Sequence, residues 1–149
     1  MQKITFIFFF IFFSLQEYSY TKDEYFLTLR NNKVNLRQGP SFEHPIKIFY
    51  NKKFLPVLVQ DTSGNFRKIR DHENNSGWIH ISQLSKKKAA IVTDDEIIVF
   101  NKPSIYSTPK VILKRGRLCK IIKCKESWCK VETNNYKGWI KKDSLWGLR

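Results

Sequence analysis

The tripeptide Gly77-Trp78-Ile79 recurs as Gly138-Trp139-Ile140, sixty-one positions later in the chain. The residues upstream recur with it at an offset of sixty-two, where 66–69 lie over 128–131. A period of about 60 residues is longer than the roughly 20 to 50 residues typical of a solenoid repeat. It fits a small all-β domain that has been duplicated. The chain is therefore predicted to contain two copies of one module.

Each copy has the pattern of short β-strands joined by turns. Runs rich in β-branched and aromatic residues, such as 46–50 and 54–59, are separated by turn-forming segments such as 61–64, Asp-Thr-Ser-Gly. Strands this short, spaced about ten residues apart and without a helical period, favour a small barrel or sandwich. We therefore predict an all-β chain with two tandem barrels of five or six strands, at residues 25–85 and 89–147.

The first twenty residues lie outside the repeat and have the composition of an export signal. A short basic start, Met1-Gln2-Lys3, precedes an almost unbroken run of Phe and Ile over residues 4–15. A dozen apolar residues are fewer than the about 20 that a membrane span requires, and they match the apolar region of a secretory signal peptide. No small-x-small cleavage triplet follows, so an uncleaved anchor is the alternative, and a buried strand is a weaker one. The sequence predicts a periplasmic or secreted protein, with residues 1–20 as signal peptide or inner-membrane tether.

Positive charge is concentrated in the second copy. The chain has a formal net charge of +14; residues 22–85 hold ten Lys or Arg against six acidic residues, whereas residues 86–149 hold sixteen against six. Such a field attracts anionic surfaces. A chain rich in Lys, Asn, Ile and Phe is also typical of an AT-rich genome, so the charge has both a functional and a compositional explanation.

The three cysteines have different predicted roles. Cys124 and Cys129 flank four residues that the repeat places at the tip of a β-hairpin. The Cα atoms of facing residues there lie about 4.5–5.5 Å apart, which is within disulfide range. In an exported chain this predicts a disulfide between them. Cys119 aligns with Val57 and is predicted to be a buried thiol. The cysteine spacing lacks the paired form of a zinc site and all three histidines lie in the first copy, so no metal site and no cofactor are predicted.

Residues 35–41, Asn-Leu-Arg-Gln-Gly-Pro-Ser, resemble the N-x-R-x-G-P-S opening of bacterial Src-homology-3-like domains. The closing Gly-Trp-Ile is similar to the last strand of that family. The second copy resembles more narrowly a tandem form from alphaproteobacterial cell envelopes, through residues 124–131 and the end 145–147. It departs from the opening motif, because 99–104 lack both the Arg and the Gly. The resemblance covers about residues 30–147 and implies two Src-homology-3-like barrels.

The candidate ligand-binding residues are Arg37, Phe42, Tyr50, Trp78, Tyr106, Tyr136 and Trp139. The two tryptophans begin the last long strand of each copy, where packing of the barrel is the main expectation and ligand contact the alternative. The other aromatics lie in or beside predicted loops. A flat apolar face with a polar tip suits sugars and peptides, although these rings are equally suited to packing one copy on the other. The arginine either binds a carboxylate through two hydrogen bonds or anchors its turn, and the second role is favoured.

The sequence contains no convincing catalytic constellation. Cys129 with His80 is the nearest approach to a nucleophile and a base, and the disulfide explains Cys129 better. The chain is therefore predicted to be a non-enzymatic exported module that binds peptidoglycan, as glycan or peptide, or another envelope component. The alternative is an adaptor that binds a peptide or a strand of an envelope protein. Charge and aromatics alone would also fit a nucleic-acid binder, but the export signal opposes a specific nucleic-acid partner. The oligomeric state is not specified by the sequence.

Overall fold

A computed structural model describes residues 23–149 of the chain. The predicted signal segment at residues 1–20 lies outside the described residues. Within residues 23–149 no helix has the length and apolar character that a membrane crossing needs.

The described chain forms fourteen β-strands in two sheets. The first seven strands are β1 (Tyr25–Leu29), β2 (Val34–Arg37), β3 (Ile46–Tyr50), β4 (Pro56–Ser63), β5 (Phe66–Arg70), β6 (Ser76–His80) and β7 (Leu84–Ser85). The second seven are β8 (Ala89–Val92), β9 (Glu96–Phe100), β10 (Pro109–Lys114), β11 (Leu118–Lys125), β12 (Trp128–Thr133), β13 (Tyr136–Lys141) and β14 (Leu145–Trp146). One 3-10 turn precedes the last strand of each set, at Ile81–Gln83 and Lys142–Ser144. We call β1–β7 the first barrel and β8–β14 the second barrel.

The two sheets have the same strand order. In the first it is β3-β2-β6-β5-β4-β1-β7, and in the second β10-β9-β13-β12-β11-β8-β14, with every pairing antiparallel. The predicted all-β duplication is therefore confirmed. Each sheet has seven strands where five or six were predicted, because β7 and β14 are two-residue strands that close back on the first strand of their own set.

Alternate residues of the strands point into the two cores, as half-buried strands require. In the first barrel Leu36 and Ile79 are fully buried, and in the second Val99 and Ile140 occupy the equivalent places. The intervening residues of these strands face outwards and are largely polar or aromatic. Strands β6 and β13, which contain Gly-Trp-Ile, thus place their Ile in the core and their Trp on the outer face.

The glycine of each Gly-Trp-Ile tripeptide is required by close strand packing. A Cβ atom on Gly77 would lie 2.6 Å from the carbonyl oxygen of Arg37 and 2.7 Å from the Leu36 side chain. A Cβ on Gly138 would meet Val99 at 2.5 Å. Such contacts are shorter than real Cβ atoms make, so β6 and β13 approach their neighbours at a distance that only glycine allows. Close packing of the strands therefore explains why glycine is repeated at this position of the tripeptide.

The turn before β4 is also duplicated before β11. Phe54 has a φ of 67° and Gly116 a φ of 80°, and their N–H groups donate to the carbonyls of Leu29 and Val92, 2.9 and 2.8 Å away. Both positions therefore need a left-handed backbone, which glycine adopts freely and phenylalanine does not. The second copy supplies the glycine, and the first holds a phenylalanine in the same conformation.

The two barrels share apolar packing. Ile91, which is buried in the second barrel, belongs to the core of the first, and Leu118 packs against that same core. Strand β8 is buried along its whole length, which places it between the two cores. The predicted ranges 25–85 and 89–147 describe the two copies in sequence, but their status as separate domains stays a prediction.

Contacts outside the cores also join the barrels. The rings of Phe26 and Trp146 meet edge-to-face with centroids 4.9 Å apart. Arg149 forms an ion pair with Glu24 at 3.1 Å. A Cβ on Gly147 would lie 2.8 Å from Pro56, so the end of the second barrel approaches the first closely. The aromatic residues that pack one barrel on the other are therefore Phe26 and Trp146, and not the loop aromatics for which this role was considered.

Candidate functional site

The cysteines are arranged as predicted. Cys124 and Cys129 are register partners at the β11–β12 hairpin and form a disulfide, and Cys119 is free and buried. Burial raises the pKa of the Cys119 thiol to about 11, although a hydrogen bond with Thr133 and the charge of Arg117 act in the opposite direction. A buried thiol that stays protonated is a poor nucleophile.

Three rings form a triangle on the outer face of the first barrel. The ring centroids of Phe42 and Phe66 are 5.2 Å apart, those of Phe42 and His80 5.0 Å, and those of Phe66 and His80 5.1 Å. Phe66 and His80 are cross-strand partners on β5 and β6, which puts their side chains on the same face of the sheet. Phe42 reaches them from the β2–β3 loop and remains 63% exposed. The exposed Phe42 ring is therefore held in place by Phe66 and His80 beneath it.

Arg37 fixes the loop that carries Phe42. Its Nη1 donates to the carbonyl oxygens of Phe42 and His44, both at 2.9 Å, and its guanidinium lies 5.5 Å from the centre of the Phe42 ring. The Ser41 Oγ and the His44 Nδ1 form a hydrogen bond within the same loop, at 2.7 Å. Arg37 therefore anchors its own turn, which was the favoured of its two expected roles. Its role in binding a ligand stays a prediction.

Trp78 extends this surface. It is half-buried and lies on β6 two residues before His80, where it pairs with Arg37 on one side and Lys68 on the other. We call Phe42, Phe66, Trp78 and His80 the aromatic shelf. Phe66 and His80 were missed as candidates. The strand alternation would have found them, because His80 follows Gly-Trp-Ile directly on β6, on the same face as Trp78, and Phe66 is its cross-strand partner on β5.

Tyr50 lies at the end of a strand beside a loop, as predicted, but its side chain is not exposed. It is the last residue of β3 and is buried, and its hydroxyl donates to the Asp71 carboxylate at 2.8 Å. Burial, followed by the hydrogen bond to Asp71, raises the pKa of Tyr50. Asp71 also accepts the N–H groups of Glu73 and Asn75, so the pair closes the β5–β6 loop. The expectation of an exposed Tyr50 is corrected, because the residue is part of a buried polar network.

The second barrel has no equivalent shelf. Phe100 occupies the place of Arg37 as the register partner of the tryptophan, and its ring contacts Trp128 edge-to-face at 5.8 Å. Trp139 is only 9% exposed, and the Lys123 ammonium lies 5.7 Å from its ring centre. Phe100 and Trp128 thus pack on each other, and Trp139 has little exposed surface for a ligand.

The remaining two candidates are exposed and lie apart from the shelf. Tyr106, in the β9–β10 loop, is 93% exposed, and Tyr136, at the start of β13, is 48% exposed. Both belong to the second barrel. The structure therefore brings together Arg37, Phe42 and Trp78 only, and ligand contact by any of these residues stays a prediction.

Similarity to proteins of known structure is low. Two structures from Trichomonas vaginalis, named NlpC2 and NlpC1, are each 16% identical to this chain, with TM-scores of 0.38 and 0.37. The matches cover 86% and 85% of this chain and 49% and 47% of those chains. An NlpC/P60 family protein from Bacillus cereus is 13% identical with a TM-score of 0.38, over 81% of this chain and 55% of that one. This chain spans about half the length of these proteins. No curated protein matches its sequence.

The sequence match to a protein family is clear and occurs twice. The family described as Bacterial SH3 domain matches residues 30–86 and again residues 93–147. Both matches fall on the duplicated sheets and together span more than half of the chain. The resemblance to this family and the predicted pair of Src-homology-3-like barrels are confirmed. The chain belongs to the bacterial SH3 domain family, with two copies of the domain in tandem.

Proposed function

We propose that this protein is a non-enzymatic exported module that binds peptidoglycan or another component of the cell envelope. The aromatic shelf is the observation that carries the proposal. Phe42 is exposed on a loop that Arg37 ties down, and Phe66 and His80 support its ring from below. A ring held in one place loses little conformational freedom when a ligand stacks on it, and a flat apolar face suits sugars and peptides.

Export and the absence of catalysis have separate support. The disulfide at the β11–β12 hairpin is typical of an oxidising compartment such as the periplasm or the cell exterior. The apolar segment at residues 4–15 fits a signal peptide or a membrane tether. The free thiol of the described chain is buried and protonated, which disfavours it as a nucleophile.

The positive charge gives this proposal a second, electrostatic part. Envelope polymers carry carboxylates or phosphates, and a protein with a net charge of +14 is attracted to them over several ångströms. Attraction between exposed charges is screened within about 8 Å at physiological ionic strength. Retention that depends on charge alone should therefore vanish by roughly 0.5 M salt, whereas stacking on the shelf should survive it.

An adaptor function is the alternative, and one feature of the second barrel favours it. Strand β10 is an edge strand of its sheet, and Ile112 on β10 is 55% exposed. Its cross-strand partner Ile98 is 40% exposed. An edge strand with an exposed apolar pair is suited to pairing with a strand of a partner protein.

Retention of the full-length protein on purified sacculi separates the two functions. We expect Phe42→Ala to weaken retention at high salt by about tenfold, because truncating an aromatic anchor costs about 1–2 kcal/mol of binding free energy. Phe42→Trp should restore it. Ile112→Ala removes a side chain of similar exposure and serves as the matched control. Purified sacculi hold no partner protein, so a wild-type protein that is not retained on them would favour the adaptor. Retention insensitive to salt and to both substitutions would contradict the proposal.

A further inference from the structure

Three lysines converge on one aromatic ring where the barrels meet. The ammonium groups of Lys53, Lys87 and Lys120 lie 5.3, 5.7 and 4.9 Å from the centre of the Phe54 ring. Lys53 belongs to the β3–β4 loop, Lys87 to the connection between the barrels, and Lys120 to β11. Because they share one ring, these three positive charges lie within about 11 Å of one another.

A cavity of about 500 Å³ adjoins this group of lysines. Lys120 lines it, together with Lys52 from the first barrel and Arg117 from the turn before β11. Its wall thus has cations from both copies. We call Lys52, Lys53, Lys87, Arg117 and Lys120 the junction cluster.

The other charged residues of the cavity wall are already paired. Lys114 forms an ion pair with Glu96, and Arg115 one with Asp95 at 2.9 Å. The carboxylate in the wall, Glu132, lies 3.4 Å from the Lys137 ammonium. By contrast, no carboxylate within residues 23–149 forms an ion pair with any member of the junction cluster.

Cations held this close repel one another, and the repulsion lowers the stability of the folded state. The Phe54 ring offsets part of it, since the face of an aromatic ring attracts ammonium groups. The remaining positive potential is concentrated in a concave site. An anion with several charged oxygens would relieve the repulsion and receive hydrogen bonds from the ammonium groups and from the planar guanidinium of Arg117.

We propose that the junction cluster binds a ligand with two or more closely spaced oxyanion groups, either phosphates or carboxylates. The ligand lies in the cavity and contacts both barrels, through Lys52 on one side and Arg117 and Lys120 on the other. This site is separate from the aromatic shelf. Its test needs no sacculi, so it stands or fails independently of envelope binding.

Calorimetric titration of the full-length protein at low salt, with tripolyphosphate and with citrate, tests the site. The combined variant Lys52→Gln, Arg117→Gln, Lys120→Gln removes three charges from the cavity. The matched control Lys33→Gln, Lys102→Gln, Lys125→Gln removes three charges from exposed positions elsewhere. We expect saturable binding that weakens about tenfold in the cavity variant, as the loss of three exposed ion pairs implies, and less than about twofold in the control.

The two anions distinguish the source of the natural ligand. Binding of tripolyphosphate alone identifies phosphate groups, binding of citrate alone identifies carboxylates, and binding of both supports the shared chemistry. Amide chemical-shift changes that centre on Gly116 and Lys120 in the wild-type protein would locate the ligand without any substitution. Equal weakening in the two variants, shift changes spread over the whole basic surface, or the absence of saturable binding to either anion would overturn the proposal.

Discussion

Phe54 and Gly116 occupy the same turn position in the two copies, but only Phe54 also supplies an aromatic ring. Both have a left-handed backbone, and both donate the same hydrogen bond to the first strand of their barrel. A side chain in this conformation costs about 1–2 kcal/mol relative to glycine. The first copy bears that cost and gains a ring that three lysines surround. A positive φ at a phenylalanine is thus linked to the junction cluster.

Two substitutions at Phe54 separate the backbone from the ring. Phe54→Gly and Phe54→Ala both remove the ring, but only the alanine variant keeps a Cβ in the left-handed region. We therefore expect Phe54→Gly to be more stable than Phe54→Ala by about 1 kcal/mol, measured as the free energy of unfolding in urea. Gly116→Ala should lose a similar amount, since its Cβ would meet nothing within 4 Å. Equal stability of the two Phe54 variants would show that the turn relaxes.

Cys119 makes stability depend on pH in the alkaline range. Its pKa rises from an ordinary 9.0 to about 11 in the folded protein, chiefly through burial. The folded state therefore favours the protonated thiol, and this contribution is complete below pH 9.0 and is lost as the pH rises towards 11. Two pKa units correspond to roughly 2–3 kcal/mol.

Cys119→Val tests this dependence, because valine occupies the equivalent position in the first barrel at Val57. The difference in unfolding free energy between wild type and variant should be constant at neutral pH. It should shift in favour of the variant by roughly 2 kcal/mol between about pH 8 and pH 11. Lysine and tyrosine titration is common to both proteins and cancels. A difference that stays flat up to pH 11 would contradict the burial of a titrating thiol.

At the scale of the element, the glycine of β6 sets how closely the strands pack. Gly77→Ala would place a Cβ 2.6 Å from the Arg37 carbonyl, and that backbone has no side-chain freedom with which to move away. We expect a loss of about 2 kcal/mol of unfolding free energy, within the range for overpacking. Gly64→Ala is the control, because its Cβ would meet nothing within 4 Å and only the backbone cost applies. A Gly77→Ala variant no less stable than Gly64→Ala would mean that β6 shifts at little cost.

Most strands could be predicted because their signal is local. Alternating apolar residues and intervening turns locate them, and the copied Gly-Trp-Ile fixes the alignment of the two barrels. The two-residue strands β7 and β14 were not predicted, since they pair with strands more than fifty residues away. The disulfide was predicted because its partners face each other within one hairpin, so the repeat alignment alone specifies their distance.

The site was less predictable because it depends on contacts between distant residues. Phe42 on a loop was recognised, but Phe66 and His80 become part of the shelf only when β5 and β6 pair. Tyr50 was predicted at the end of the strand 46–50, beside a loop, but its buried hydroxyl donates to Asp71, which lies 21 positions later. The junction cluster requires the docking of one barrel on the other. The main sequence signal for this docking is the unbroken apolar run Ala89–Val92, which the structure buries completely.

At the scale of the whole molecule, the contacts between the barrels should make them unfold together. Trp146→Ala removes the ring that meets Phe26 edge-to-face across the interface. We expect a loss of about 2 kcal/mol and a broader calorimetric transition that resolves towards two components, because the shared packing is weakened. Trp128→Ala is the matched control, since Trp128 is also half-buried but contacts Phe100 within the second barrel. A single sharp transition in Trp146→Ala would show that the coupling of the barrels does not depend on this ring.

The placement of Ile91 in the core of the first barrel also bears on how such a chain can change during evolution. Small domains are commonly moved between genes as single units, because each carries its own core. Here a gene segment that encodes only β1–β7 would lack a side chain of its core, and one that encodes only β8–β14 would expose Ile91 to water. Recombination can therefore transfer the pair of barrels as one piece, while insertion of another domain at residues 86–88 would separate Ile91 from the core of the first barrel.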